Sequence, residues 1–418
     1  MLNKKLSLML VPAALAALSS NAFSWGSLGI LGSSTHTKIA AKALGALDMG
    51  AYPDMDLYSG QIKDGSTSEA GHENIHNGGG KLKDWWDGAD GRATLKGGVL
   101  PNYTKLDVRD AYLNLGRMCH LTQDQAVPAH AAHIPHSIVL HLPPDGVEKY
   151  AGKNPDFGPL PQVAGDKQPY EYYQILQDET KSHLAEWVSP VTGKPFWTTA
   201  PGGARYADAT LGPAGVYGGG GDTFGQAAET DARLPGVMSA REIAARQLGM
   251  AAGYTVALLE SASRRLPPLV AGLSVYPNVA APGAKVQIAF TALENRTRHL
   301  KYSVTLTPRG GAPRTILAGE LGLDRPRPAA TVGGDGQQAA PQPEELLFNK
   351  RVNLNWDAKP EGRPLAEGVY TVQVQLTDDD GNTVPASVNS DDSRENDTVT
   401  VFSVVNGGAP ETPAISFN

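Results

Sequence analysis

The chain has 418 residues, with 36 Lys and Arg against 43 Asp and Glu, a formal net charge of −7 and one cysteine. That length suits two domains, and a single cysteine excludes an intrachain disulfide. The mild acidity, with no basic block, argues against a standing nucleic-acid footprint but not against an enzyme that holds phosphate through metal.

Residues 1–24 read as a secretory signal peptide: Lys4 and Lys5, an apolar run from Leu6 to Leu18, and Ala22-Phe23-Ser24 as a small-x-small cleavage site. No later run approaches the roughly 18 uninterrupted apolar residues of a membrane span, so no transmembrane helix is expected. Cleavage leaves Trp25 as the mature N-terminus of a secreted or periplasmic protein. Without disulfides, its stability must come from core burial and from any metal it binds.

Thr35 to Leu47 has helical spacing, with His36 in the first turn. The polar, Gly-rich stretch from Asp48 to Asn102 reads as a long loop. Clustered ligand-type residues mark it as a functional one: Asp54, Glu69, His72 and His76, followed by Trp85-Trp86.

Five of the ten histidines fall between Leu115 and Glu148: His120, His130, His133, His136 and His141, with Asp124, Asp145 and Glu148 among them. Imidazole nitrogen and carboxylate oxygen at this density are the materials of a zinc site. Asp107 to Leu121 is amphipathic, with Val108, Tyr112, Leu115 and Met118 on one face, and it runs on into His120 and Asp124. Those two stand at i and i+4 and share a helix face. Pro128 bends the chain and lets His130 return toward the same point. A lone HxxxD is more often a surface ion pair; the histidines and glutamate that follow favour metal. Cys119 points about 100° away from His120 and reads as a buried free thiol.

Tyr170 to Trp187 is a further helix, with His183 and Glu186 on a solvated face. Ser189 to Pro235 is rich in Gly, Pro, Thr and Ala, either a mobile loop over the site or an exposed excursion. A capping box, Ser239-x-x-Glu242, opens a helix to about Arg264 whose core face is Ile243, Leu248, Ala251, Ala252, Val256 and Leu259. From 269 to 405, alternating β-branched runs predict an antiparallel β-sandwich, Ig-like or C2-like, of about seven strands, with 406–418 as a tail. Arg325 to Pro343 reads as a disordered insertion. Asp378-Asp379-Asp380 and Asp391-Asp392 read as turn residues and solvated acids in preference to calcium ligands.

These residues resemble the bacterial zinc-dependent phospholipase C family (alpha-toxin-like), whose fold is shared with the single-strand-specific zinc nucleases. In that family the mature chain begins with Trp and a Thr-His dipeptide follows, as Trp25 and Thr35-His36 do here. The central motif, HxxxD, a Pro, then His, is similar to His120, Asp124, Pro128 and His130. The likeness runs from Trp25 to about Arg264 and rests on specific motifs; the appended sandwich is an architectural likeness. It implies a mainly α domain over 25–266 holding three zinc ions, followed by the β-sandwich.

By the same resemblance one zinc takes Asp54, His76, His120 and Asp124, with Glu69 an alternative register for Asp54. A second takes His130, His136 or His141, and Glu148. A third takes the Trp25 amine and carbonyl, His36 and the other oxygen of Asp124. His133 stands beside the metals. The chain departs from the pattern in two places: the spacing from Asp54 to His76 (His72 fits less well) is long, and no HxxxE follows His130.

The implied activity is cleavage of phosphatidylcholine-like lipids to diacylglycerol and a phosphorylated head group by zinc-bound hydroxide, with Asp124 bridging and Asp54 as an acid or base. The sandwich would aid membrane contact, and the protein is expected to be a monomer without a stable nucleic-acid partner. Two other readings stand: a single-strand nuclease using Trp85-Trp86 or Tyr172-Tyr173 as stacking platforms, and a zinc-stabilised surface-binding protein whose closed metal sites hold no water.

Overall fold

The computed structural model describes residues 34–67, 80–88, 97–134, 145–198, 216–217, 224, 235–326, 347–384 and 398–405. The expected signal peptide, Trp25, Glu69, His72, His76, His136, His141, Asp391-Asp392, and most of the 189–235 stretch and the 325–343 insertion lie outside the described residues. The chain divides after Ala262 into two compact units, the segment Tyr103–Val108 grouping with the second. The first unit is mainly helical with one two-stranded pair, and the two larger sheets lie in the second.

Helix α1 (Thr35–Leu44) starts at Ser34, whose side chain accepts from the Thr37 amide and so satisfies one of the orphan donors of a helix start. The stretch expected as a long loop instead forms short helices: α2 (Pro53–Leu57), α3 (Ser59–Ser66), α4 (Gly80–Asp87) and α5 (Val99–Thr104). Helices this short are marginal on their own and depend on packing. Here Tyr52, Met55, Tyr58, Ile62, Leu82, Trp85 and Trp86 are all buried and anchor them. The anchors stand at helical spacing (Leu82, Trp85 and Trp86 at i, i+3 and i+4), but each helix is too short for that period to declare itself over the window of about 11 residues or more that it needs.

Helix α6 (Val108–Asp124) buries the expected face of Val108, Tyr112, Leu115 and Met118. Pro128 opens the short α7 (Pro128–Ala131), where its missing amide costs nothing. Helix α8 (Gly146–Lys153) and helix α9 (Tyr172–His183) follow. The latter ends short of the expected Trp187, which is buried edge-on to Trp197 at 5.9 Å between centroids. Strands β1 (Trp197–Thr198) and β2 (Val216–Tyr217) form a small antiparallel pair. Helix α10 (Ala240–Arg265) begins with the expected capping box: the Ser239 amide donates to Glu242 at 2.8 Å and the Glu242 amide to the Ser239 hydroxyl at 3.3 Å. Of its expected core face, Val256 is only half-buried, while the polar Gln247 and Thr255 are enclosed.

The second unit contains β3 (Leu269–Tyr276), β4 (Val279–Ala280), β5 (Val286–Glu294), β6 (His299–Pro308), β7 (Arg314–Gly322), β8 (Phe348–Trp356), β9 (Gly368–Thr377) and β10 (Val399–Val404). They form one sheet in the order β4-β10-β9-β6-β7 and another in the order β3-β5-β8. Alternation is clear in β9, where Tyr370, Val372, Val374 and Leu376 are buried and Gln373 and Gln375 exposed, the period-2 signature of a half-buried strand. Ile288 and Phe290 of the smaller sheet and Val304, Val374 and Phe402 of the larger belong to one hydrophobic cluster.

Pairing is antiparallel except for β4, a two-residue strand beside the last strand in parallel. The described strands of this unit exceed the expected seven by that addition. Asp378-Asp379-Asp380 forms a turn: Asp378 accepts from the Asn382 amide at 2.7 Å, Asp379 meets His299 and Asp380 meets Arg296. No described helix is long and apolar enough to cross a membrane.

Candidate metal centre

Helices α3 and α6 cross at a pair of glycines. A Cβ on Gly65 would lie 2.1 Å from the Leu113 carbonyl oxygen, and one on Gly116 2.3 Å from that of Ile62, so only hydrogen fits at either position. The close approach carries Ser66, the last residue of α3, to His120, whose Nδ1 lies 2.9 Å from the Ser66 carbonyl oxygen. A carbonyl only accepts, so Nδ1 bears the proton and the Nε2 of the neutral ring presents its lone pair.

That Nε2 lies 3.5 Å from Asp124 Oδ2, while His36, arriving from α1, places its own Nε2 3.4 Å from Asp124 Oδ1. The two rings are stacked at 4.0 Å, and all three residues are fully buried. One ligand atom from each lies within 4.8 Å of the others, the arrangement of a group able to hold a metal ion. Two ligands on a tetrahedral zinc at 2.0–2.1 Å stand about 3.3 Å apart, and both nitrogen–oxygen separations match that spacing. Lone pairs converging in a buried space repel unless a cation or protons lie between them, so the donor set fits a metal.

The other expected ligands are distributed around this group. Asp54 is buried and accepts from the Tyr112 hydroxyl at 2.7 Å. Tyr58 stacks on Tyr112, and burial holds its hydroxyl far above the usual phenol range, with Arg109 opposing and Asp54 adding to the shift. Asp54 is not part of the three-residue group. Its anchor, Tyr112, precedes His120 by two turns of α6, about 12 Å along the axis. His130 and Glu148, which the resemblance assigns to one further zinc, are in contact, Nε2 to Oε1 at 3.1 Å.

Asp145, counted among the acidic candidates, is the cap of α8. Its Oδ1 accepts from the amides of Val147 and Glu148 at 2.8 and 3.2 Å, and its Oδ2 from the Trp197 indole at 3.0 Å. It thereby orients the turn that bears Glu148. His133 has a left-handed backbone (φ 55°) and receives a hydrogen bond from the Gln177 amide nitrogen at 3.2 Å, outside the metal-binding group. Burial pushes the Cys119 thiol well up, so it stays protonated. Of the pair expected on a solvated face, Glu186 is exposed, while His183 is half-buried between Arg246, 2.8 Å from its Nε2, and Glu186, 3.1 Å from its Nδ1. Trp85, Trp86, Tyr172 and Tyr173 are core residues rather than exposed platforms.

Ser66 and the Gly65–Gly116 crossing carry no ligand signature in the sequence, and Tyr112 reads there only as part of the apolar face of its helix. A glycine in the middle of an otherwise good amphipathic helix was the available signal, because it marks a position where the backbone is approached closely.

No family model and no curated protein matches the chain. Thirteen solved chains do, among them the Pseudomonas fluorescens alkylpurine DNA glycosylase AlkC bound to DNA containing an abasic site analog. That chain is 12% identical, the match covering 88% of this chain and 96% of the glycosylase, with a TM-score of 0.20. Likeness at that level carries no weight for fold or function.

Proposed function

We propose that this protein is an exported, zinc-dependent phosphoric diester hydrolase of the phospholipase C type, acting on phosphatidylcholine-like lipids. In this reading the helical unit has the fold of that family and the two sheets pack as its β-sandwich. The observation that carries it is the buried Asp124 carboxylate, faced on one oxygen by His36 and on the other by His120. A carboxylate presented this way is suited to bridge two ions.

Zinc bound there would polarise a phosphoryl oxygen and lower the pKa of water. The protein's own part is to orient and enclose. The Ser66 carbonyl holds the His120 ring with Nε2 forward. His130 and Glu148, already in contact, would take a further ion with His136 or His141. Trp25 would join His36, and Asp54, braced by Tyr112, serves as ligand or as acid and base. The nuclease reading is weakened because its candidate stacking aromatics are enclosed in the core.

The test is to assay the zinc-replete full chain on phosphatidylcholine vesicles and on single-stranded DNA side by side, with zinc counted per chain. Phosphocholine release without DNA cleavage is expected. DNA cleavage alone would favour the nuclease, zinc without hydrolysis the surface-binding protein, and a chain that takes up no zinc would end the metal reading.

A further inference from the structure

We infer that Gln123 and Thr255 form a hydrogen-bond relay that sets the tautomer of His36 and thereby aims its Nε2 at the metal; the second half rests on the metal reading above. The direction of each bond follows from the one before it. The Thr255 hydroxyl lies 2.7 Å from the Ala251 carbonyl oxygen, which can only accept, so the single hydroxyl proton goes there. Thr255 Oγ1 must then accept from Gln123, 3.3 Å away, and the atom of Gln123 facing it is the amide nitrogen. The amide oxygen is thereby turned toward His36, 2.8 Å from Nδ1. Since that oxygen also only accepts, His36 carries a proton on Nδ1, and the neutral ring then has its lone pair on Nε2, which faces Asp124.

The reversed amide would set oxygen against a hydroxyl whose proton is already committed, and would favour a proton on Nε2, where a ligand cannot carry one. His36, Gln123 and Thr255 are each fully buried, a setting where an unmet polar atom is costly. Helix α10 holds the same corner a second time, because Gln247 donates to the Ala126 carbonyl at 2.6 Å, just beyond Asp124. The two imidazoles are therefore oriented differently. A backbone carbonyl orients His120, whereas side chains orient His36 and can be replaced.

Gln123 and Thr255 are positioning residues, and the test reads metal affinity and ring protonation in the full chain. Gln123→Met keeps the volume and removes the acceptor, Thr255→Val removes the hydroxyl, and Gln123→Glu keeps an acceptor toward Nδ1. Removing an outer partner of a ligating histidine typically costs 10–100-fold in metal affinity. By chelator competition, Gln123→Met and Thr255→Val are expected to weaken zinc by about that factor, while Gln123→Glu retains it. The cobalt-substituted spectrum should shift in the first two variants only.

If the role were merely structural, all three variants would lower the melting temperature of the zinc-free chain and leave zinc affinity within about twofold of wild type; that result overturns the relay. If Gln123→Met fails to fold, ring-nitrogen NMR on zinc-free wild type and Thr255→Val decides. Wild type should show Nδ1–H on His36, and Thr255→Val a mixture. A wild-type chain that binds zinc but shows Nε2–H overturns the relay and leaves the metal reading. One that shows Nδ1–H but takes up no zinc overturns the metal reading and leaves the relay.

Discussion

In the helical unit, buried charge is met by donors. Asp54 takes the Tyr112 hydroxyl, Asp145 two amides and an indole, and Glu148 the imidazole of His130, while Asp124 stands between two further imidazoles. The sheet unit is built on a mainly apolar cluster, and its Glu294 is placed otherwise. That residue is 1% exposed, and its Oε2 has no hydrogen-bond partner among the described residues. Burial holds its carboxyl well above the usual range and the nearby Asp378 adds to this, while the Arg296 and Thr297 amides, which meet its other oxygen, and the Arg296 charge oppose it. A buried carboxylate enclosed among donors and imidazoles is suited to a cation, whereas burial beside another carboxylate favours the protonated form; with burial common to both, the neighbours make the difference.

The largest expected effect tests the first half of that contrast. Asp124→Asn should lower zinc affinity on the order of 100-fold or more, beyond the loss of an outer partner, and abolish phosphodiester hydrolysis. A fully loaded, active variant in zinc analysis would break the proposed role. Next, Gly116→Val forces α3 and α6 apart, with an overpacking cost of about 1–3 kcal/mol. Its urea midpoint should fall and zinc binding weaken with it, as the Ser66 carbonyl leaves His120. An unchanged midpoint would contradict the close approach.

Glu294→Gln sharpens the other half. A carboxyl whose folded pKa is raised contributes stability below the ordinary carboxylate pKa, and that contribution is lost as pH rises toward the folded value. Wild type should therefore lose stability from mild acid to neutral pH, and the glutamine variant should lose less. A gain of about 1–2 kcal/mol at neutral pH, vanishing in acid, is expected from relieving one buried unmet group. A variant less stable than wild type at every pH would show that the carboxyl is satisfied. The smallest effect belongs to Ser239→Ala, which removes one cap of α10 for about 1 kcal/mol; thermal unfolding should detect it without a change in zinc content.

Much of this was legible locally. The capping box of α10, the apolar stripe of α6 and the shared face of His120 and Asp124 all follow from a 3.6-residue period, and the strands of β9 and β5 from a period of two. The short helices between Asp48 and Asn102 were not, because one or two turns each are too short for the helical spacing of their buried anchors to stand out. The capping role of Asp145 was not legible among the neighbouring ligand-type residues, because capping and coordination use the same oxygens. Gln123 went unremarked between two conspicuous residues because an amide has no signature until its partners are known.

The sequence by itself determined that one helix would present His120 and Asp124 together and that the chain would turn at Pro128, since both follow from backbone geometry over a few residues. The family resemblance already paired His36 with Asp124 and His130 with Glu148; only the tertiary structure decided that Ser66 comes to that face and that Thr255 reaches Gln123 from α10. Those meetings depend on contacts of a few ångströms between distant segments. Close packing at Gly65 and Gly116 creates such contacts, and no spacing along the chain encodes them.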